Sequence, residues 1–199
     1  MRRIVMFNRV TADGYFAGPD GNLDWVVPDK QIDRSAIEAA GRFDTVLFGR
    51  RTYELFVAFW PHTIDDSSTS PNPHDSGRLS PEMRYMAVFL NEATKLVFSK
   101  TLKEVTWKNS RLLHEFDPRK IKAMKSETGK DMIIFGSGSI VTRLTQHRLI
   151  DEYQFVVSPI LLGTGRPLLG GVSANLALDL QEAKNCPSGN VLLRYTLSK

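Results

Sequence analysis

Two rhythms of apolar and polar residues alternate along this chain. Short apolar runs predict strands at 3–10, 45–48, 95–98 and 132–135. In the first of these, Ile4, Met6 and Asn8 share one face while Val5 and Phe7 share the other. Between the runs, apolar residues recur at helical spacing. Ile32, Ala36, Ile37 and Ala40 form one such set, opened by Asp29 or Asp33 and closed by Gly41. Others are Tyr53, Leu55, Phe56 and Phe59; Met83, Met86, Ala87 and Leu90 within 82–92; Ile121 and Met124 within 117–127; and Ile140, Val141 and Leu144. A further strand is expected over 106–113. After the last helix the rhythm changes. Tyr153, Phe155 and Val157 alternate with smaller or polar residues up to Pro159, and a glycine-rich connection covers 162–167. Segments 174–183 and 190–197 then read as an antiparallel pair joined by Pro187, Ser188 and Gly189. Strands alternating with helices, then strands alone, predict an α/β fold with a mixed, mostly parallel central sheet and antiparallel C-terminal strands.

Two stretches break the pattern. Residues 11–22 hold Asp13-Gly14, Gly18-Pro19 and Asp20-Gly21, so they read as a long loop or a short irregular hairpin of the kind that covers a site. Residues 60–81 turn to Pro, Ser, Asp and His and read as one irregular loop, because neither flanking segment supplies a core alone.

Composition narrows this picture. At 199 residues, 42% hydrophobic and 24% charged, the chain suits a single domain over 1–199 with a substantial core. The lone Cys186 excludes a disulfide framework, and His62, His74, His114 and His147 are too scattered to suggest a metal site. The N-terminus lacks the apolar core of a signal peptide and no run is long enough to span a bilayer, so a soluble cytoplasmic protein without a membrane partner is expected. The net charge of +4 is concentrated: from Lys100 to Lys125 eight Lys or Arg face three acids. That region suits an acidic ligand or a solvated face. It lacks the interleaved aromatics of a nucleic-acid surface, so no nucleic-acid partner is expected.

Candidate chemistry lies where strands hand over to helices. Gly136-Ser137-Gly138-Ser139 follows the run Met132, Ile133, Ile134, Phe135, and Gly49-Arg50-Arg51-Thr52 follows 45–48. Glycines allow close backbone approach, and a helix N-terminus favours an anion, most often phosphate. The plainer alternatives are a helix capped by Ser137 or Ser139 and a surface arginine pair.

The ordered set GRRTYE at 49–54, SKT at 99–101 and FGSGSIVTRL at 135–144, preceded by TADGYFAG at 11–18, resembles the dihydrofolate reductase-like superfamily. It is most similar to the branch that holds the reductase domain of riboflavin biosynthesis. The resemblance implies a three-layer fold, NADPH as cofactor and a homodimer. It implies that Gly49, Arg50, Arg51 and Thr52, with Phe135, Gly136, Ser137, Gly138, Ser139 and Ile140, surround the pyrophosphate. Ser99, Lys100 and Thr101 fall where the family grips the adenosine ribose and 2′-phosphate, and the loop bearing Ala12, Ala17 and Gly18 lies over the nicotinamide. The substrate is then expected near Trp25, Phe56 and Phe59. For the proton, the family's helix-start acid aligns with Lys30, leaving Asp29 one residue early, about 100° round a helix. Asp13 is the other candidate. The implied activity is NADPH-dependent reduction of a small pterin-, pyrimidine- or flavin-precursor-like heterocycle or its ring-opened form; the alternative is a non-catalytic dinucleotide-binding domain.

Overall fold

A computed structural model describes residues 1–63, 80–173 and 175–198. The strands are β1 (Ile4–Thr11), β2 (Tyr15–Ala17), β3 (Phe43–Gly49), β4 (Thr94–Phe98), β5 (Ser110–Leu113), β6 (Asp131–Phe135), β7 (Glu152–Ser158), β8 (Arg166–Pro167), β9 (Leu178–Asn185) and β10 (Val191–Leu197). The helices are α1 (Lys30–Ala40), α2 (Arg50–Val57), α3 (Pro81–Glu92), α4 (Pro118–Ser126) and α5 (Gly138–Gln146).

Eight strands form one sheet in the order β5-β4-β3-β6-β1-β7-β10-β9, with β2 and β8 paired apart from it. The neighbours from β5 through β7 are parallel, and β10 runs antiparallel to both β7 and β9. The stretches 4–6, 46–48, 96–98 and 132–134 of the parallel strands are buried on both faces, because they are apolar at every position. Ile4 and Met6 with Leu47, Leu96, Met132 and Ile134 face one way, under Ile121 of α4 and Ile140, Val141 and Leu144 of α5. Val5, Val46, Phe48, Val97 and Ile133 face the other way, under Tyr53 of α2 and Leu90 of α3. On the same side Ile32 of α1 packs on Val156 beside Phe7. The result is helix, sheet and helix in three layers.

Ion pairs gather at the amino ends of the parallel strands: Arg2 with Asp44, Arg3 with Glu152 at 3.0 Å, and buried Lys125 with Asp151 at 2.7 Å. The carboxyl ends are left for the loops. Among the described residues no helix is long and apolar enough to cross a membrane.

Several boundaries differ from the sequence expectation. The strand expected over 106–113 starts only at Ser110, because the Thr106 and Trp107 N–H groups both donate to the Tyr53 hydroxyl, at 3.0 Å each, instead of joining a ladder. The strand expected over 174–183 is β9, shifted to Leu178–Asn185, and Ala174 lies outside the described residues. The loop at 11–22 contains β2, which pairs with β8 across the glycine-rich connection. Of the loop expected over 60–81, residues 64–79, with His74 among them, lie outside the described residues.

Candidate functional site

A cleft of about 1710 Å³ crosses the carboxyl ends of β4, β3, β6 and β1. Its floor holds Phe98, Gly49, Phe135 with Gly136, and Phe7 with Asn8 and Arg9. The chain leaves β1 for α1 on one face of the sheet and leaves β6 for α5 on the other, the kind of reversal at which open α/β sheets form ligand crevices. Typical small-ligand pockets run to roughly 1,000 Å³, so this cleft has room for two ligands side by side.

The starts of the five described helices are not alike. Asp29 caps α1 by accepting from the Gln31 and Ile32 N–H groups, Ser80 caps α3 through Met83, and Asp117 caps α4 through Arg119. The N-cap residues of α2 and α5, Gly49 and Ser137, make no side-chain cap. This corrects the reading of Ser137 as an ordinary cap. Its hydroxyl instead accepts the buried Gly49 N–H at 2.8 Å, while the Ser137 N–H donates to Thr52 Oγ1 at 3.0 Å. The two helix starts are thereby locked side by side at the cleft. A helix start carries unpaired backbone donors and about half a positive charge, so two side by side suit an anion.

The glycines serve that lock. A Cβ on Gly136, at φ 58°, would lie 3.2 Å from Thr52, and one on Gly138 would lie 2.7 Å from the Phe16 ring. On Gly49 it would meet Ile140 at 3.4 Å. Gly136, with its positive φ, and Gly138 are thus the positions where a side chain is crowded, while Gly49 has ordinary van der Waals room for one.

Of the residues expected at the cofactor, Ala17, Gly49, Arg50, Arg51, Thr52, Thr101, Phe135, Gly136, Ser137, Gly138 and Ser139 line the cleft. Ala12, Gly18, Ser99, Lys100 and Ile140 are not part of its lining. The Ser99 hydroxyl accepts from the Thr101 and Leu102 N–H groups and shapes the turn there. Arg50 ties that turn to α2, donating to Thr101 Oγ1 at 2.9 Å and to Glu54 at 2.7 Å. Arg51 and Arg143 add positive charge to the same end.

The expected acids are placed differently. Asp13 accepts from the Thr11 hydroxyl and from the Leu162 and Gly163 N–H groups, which tie the 11–18 loop to the glycine-rich connection. Those bonds, the Thr11 one first and the Gly163 one next, hold its carboxyl below the usual range. Asp29 is buried: one oxygen caps α1 and the other takes the Ser188 hydroxyl. Burial pushes its pKa up, but the Ser188, Ile32 and Gln31 hydrogen bonds together outweigh it and leave the carboxyl below its ordinary value. Neither carboxyl lies in the cleft lining. Trp25 is buried and Phe59 half-buried, both outside the lining, whereas Phe56 lines the cleft and stacks on Phe135 at 6.0 Å.

Among the described residues four acids do line the cleft, Asp20, Asp33, Glu54 and Glu82; of these Asp33, one turn after Asp29, is paired with Arg9 at 2.9 Å. Burial raises its pKa, the Arg9 charge opposes that, and the Asp29 and Glu82 charges add to it. Sequence reasoning missed both as site residues. Helical spacing held the signal for Asp33, which shares a face with Ala36 and Ile37, and strand alternation held it for Arg9, two residues from Phe7.

The family model for the RibD C-terminal domain matches residues 2–192. The chain belongs to this family. It is 26% identical over 198 residues to the uncharacterized protein YyaP of Bacillus subtilis (strain 168), covering 98% of this chain and 94% of YyaP. Its fold is dihydrofolate reductase-like. The diaminohydroxyphosphoribosylaminopyrimidine deaminase/5-amino-6-(5-phosphoribosylamino)uracil reductase of Thermotoga maritima superposes with TM-score 0.65 at 14% identity, over 99% of this chain and 57% of that one. The dihydrofolate reductase of Enterococcus faecalis, in complex with NADP(H), superposes with TM-score 0.58 at 12% identity, over 99% and 97%. At these identities the RibD-like and dihydrofolate reductase structures share the fold with this chain. The site rests on its own residues.

Proposed function

We propose that the cleft binds NADPH and that the protein is a reductase of a small heterocycle, pyrimidine-, pterin- or flavin-precursor-like, or of its ring-opened form. One observation carries this reading. α2 and α5 alone lack side-chain caps among the five described helices, and their starts are bolted together at one cleft. A diphosphate satisfies both sets of donors at once. The residues present fit the rest of the cofactor: Arg51, Thr52 and Thr101 line the anionic end, while Phe7, Phe56 and Phe135 form an apolar wall for a flat ring. When bound, the nicotinamide supplies the hydride. The chain's own residues orient the two rings, exclude water from between them and hold the Arg9-paired carboxyl of Asp33 in the wall. The NADP(H) complex of the structurally similar dihydrofolate reductase supports the choice of dinucleotide. A homodimer, paired through the β9 edge, and a cytoplasmic setting complete the proposal.

The placement of Asp13 and Asp29 outside the cleft favours one competing reading, a dinucleotide-binding domain without turnover. Thermal melts with NADPH and with NADH separate the cases. At a hundredfold excess over Kd a ligand of the folded state adds about 2.7 kcal/mol. At about 2–4 °C per kcal/mol that raises the midpoint by roughly 5–11 °C. A rise of this size with NADPH, followed by NADPH oxidation with a pyrimidine or pterin, is the expected result. A rise without oxidation across that panel supports the non-catalytic reading, and no rise overturns both.

A further inference from the structure

The start of α1 is held by an element far along the chain, the turn 186–190 between β9 and β10. Two backbone bonds close that turn: the Cys186 N–H donates to the Asn190 carbonyl and the Gly189 N–H to the Cys186 carbonyl, at 2.9 Å each. Asn190 is fully buried, and both hydrogens of its amide are taken. Its Oδ1 accepts the Ser158 hydroxyl at 2.8 Å, and its Nδ2 donates to the Val27 carbonyl at 3.0 Å and to Ser188 Oγ at 2.8 Å. The Ser188 hydroxyl in turn donates to Asp29 Oδ2, while Asp29 Oδ1 accepts the Gln31 and Ile32 N–H groups of α1. Beside this chain of hydrogen bonds, Cys186 packs in one buried cluster with Ile32 of α1 and Val156 of β7.

The residues held in this way lead into the cleft, but the turn itself does not reach it. Val26, Asp33, Ala36 and Ile37 line the cleft, and none of residues 186–190 does. The Val27 carbonyl that Asn190 grips also accepts from Arg9 of β1 at 3.3 Å. A buried polar network with its members paired rigidifies what it joins, and a misplacement of about 1 Å at a ligand wall can cost on the order of 100-fold in rate. Building on the reductase reading above, we propose that Ser188 and Asn190 are positioning residues. They set where α1 and the segment before it stand against the cleft, so the C-terminal hairpin fixes one wall of the site without touching a ligand.

The test compares Ser188→Ala with Ser188→Thr, which keeps the hydroxyl. Ser188 is half-buried, so the alanine variant should fold. Each protein is titrated calorimetrically with NADPH and then, at saturating NADPH, with 5,6-diaminouracil; backbone amide spectra are recorded without ligand. A hydrogen bond to a charged group corresponds to roughly tenfold or more in an equilibrium constant. Ser188→Ala should weaken 5,6-diaminouracil by about tenfold while NADPH affinity stays unchanged. Without ligand, its amides at Val26, Asp33, Ala36 and Ile37 should shift, and those at Arg51, Thr52, Gly138 and Ser139 should not. Ser188→Thr should match the wild type in both readouts. Amide changes confined to 186–190 and 29–32 overturn the proposal, as does an equal loss for NADPH or a threonine variant no better than alanine. Failure of the wild type to bind NADPH or the pyrimidine counts against the reductase reading instead, and the ligand-free spectra still decide the positioning role.

Discussion

Ser137→Ala probes the lock between the two helix starts. Ser137 is 6% exposed, and its hydroxyl is the acceptor for a Gly49 N–H that is buried with it at 2.8 Å. Removing that oxygen leaves a buried backbone donor without a partner, at a cost of about 1–3 kcal/mol. For a chain of this length the melting midpoint should fall by about 2–4 °C per kcal/mol. Ser137 holds φ 60°, a left-handed conformation that costs Ser and Ala alike about 1–2 kcal/mol. Ser137→Gly loses the same hydrogen bond but relieves this strain, so the expected order of stability is wild type, then Ser137→Gly, then Ser137→Ala. Urea denaturation reads it through midpoints at constant slope. Both variants should also bind NADPH more weakly, because α2 no longer holds its register against α5. A Ser137→Ala protein within about 0.5 kcal/mol of wild type would refute the lock, and so would a Ser137→Gly protein less stable than Ser137→Ala.

Gly138→Val should push the Phe16 ring off the start of α5, since its Cβ would lie 2.7 Å from that ring; titration should show NADPH weakened by about tenfold or more. Asp29→Ala should cost about 2 kcal/mol through the lost cap, with Asp29→Asn milder. Because the folded pKa of Asp29 lies below its ordinary value, its stabilisation is full above about pH 4 and fades as pH falls through the lower folded value. Urea midpoints across the acid range should therefore fall for wild type and flatten for Asp29→Asn. Lys95 is buried, donates to the Leu90 and Asn91 carbonyls at the end of α3, and has its pKa pushed down to about 8, chiefly by burial. Between pH 8 and about 10.4 the unfolded chain keeps a proton that the folded one has released, so stability should rise with pH there. Lys95→Met should remove that rise.

The parallel core was legible in the sequence because strand segments buried on both faces are continuously apolar, as in 46–48 and 132–135. The two phosphate-type turns were legible for a similar reason, each being a glycine between such a run and an amphipathic helix. Trp107 misled the strand expectation, because its apolar side chain packs in the core while its N–H leaves the ladder for Tyr53. β2 and β8 are three and two residues long, too short for any period, and exist because their loops meet. At the site, attention to the acid nearest the helix start selected Asp29. A carboxylate at an N-cap turns back onto the first-turn N–H groups, so on α1 the acid that lines the cleft is the one a turn later, Asp33.

Backbone amide NMR shifts during NADPH titration test the central claim most directly. The amides of Arg50, Arg51 and Thr52 should move together with those of Gly138, Ser139 and Ile140 and saturate at one common Kd. The N-capped starts of α1, α3 and α4 should stay still. Saturable shifts confined to one helix start, or a titration in which neither start responds, would contradict the account.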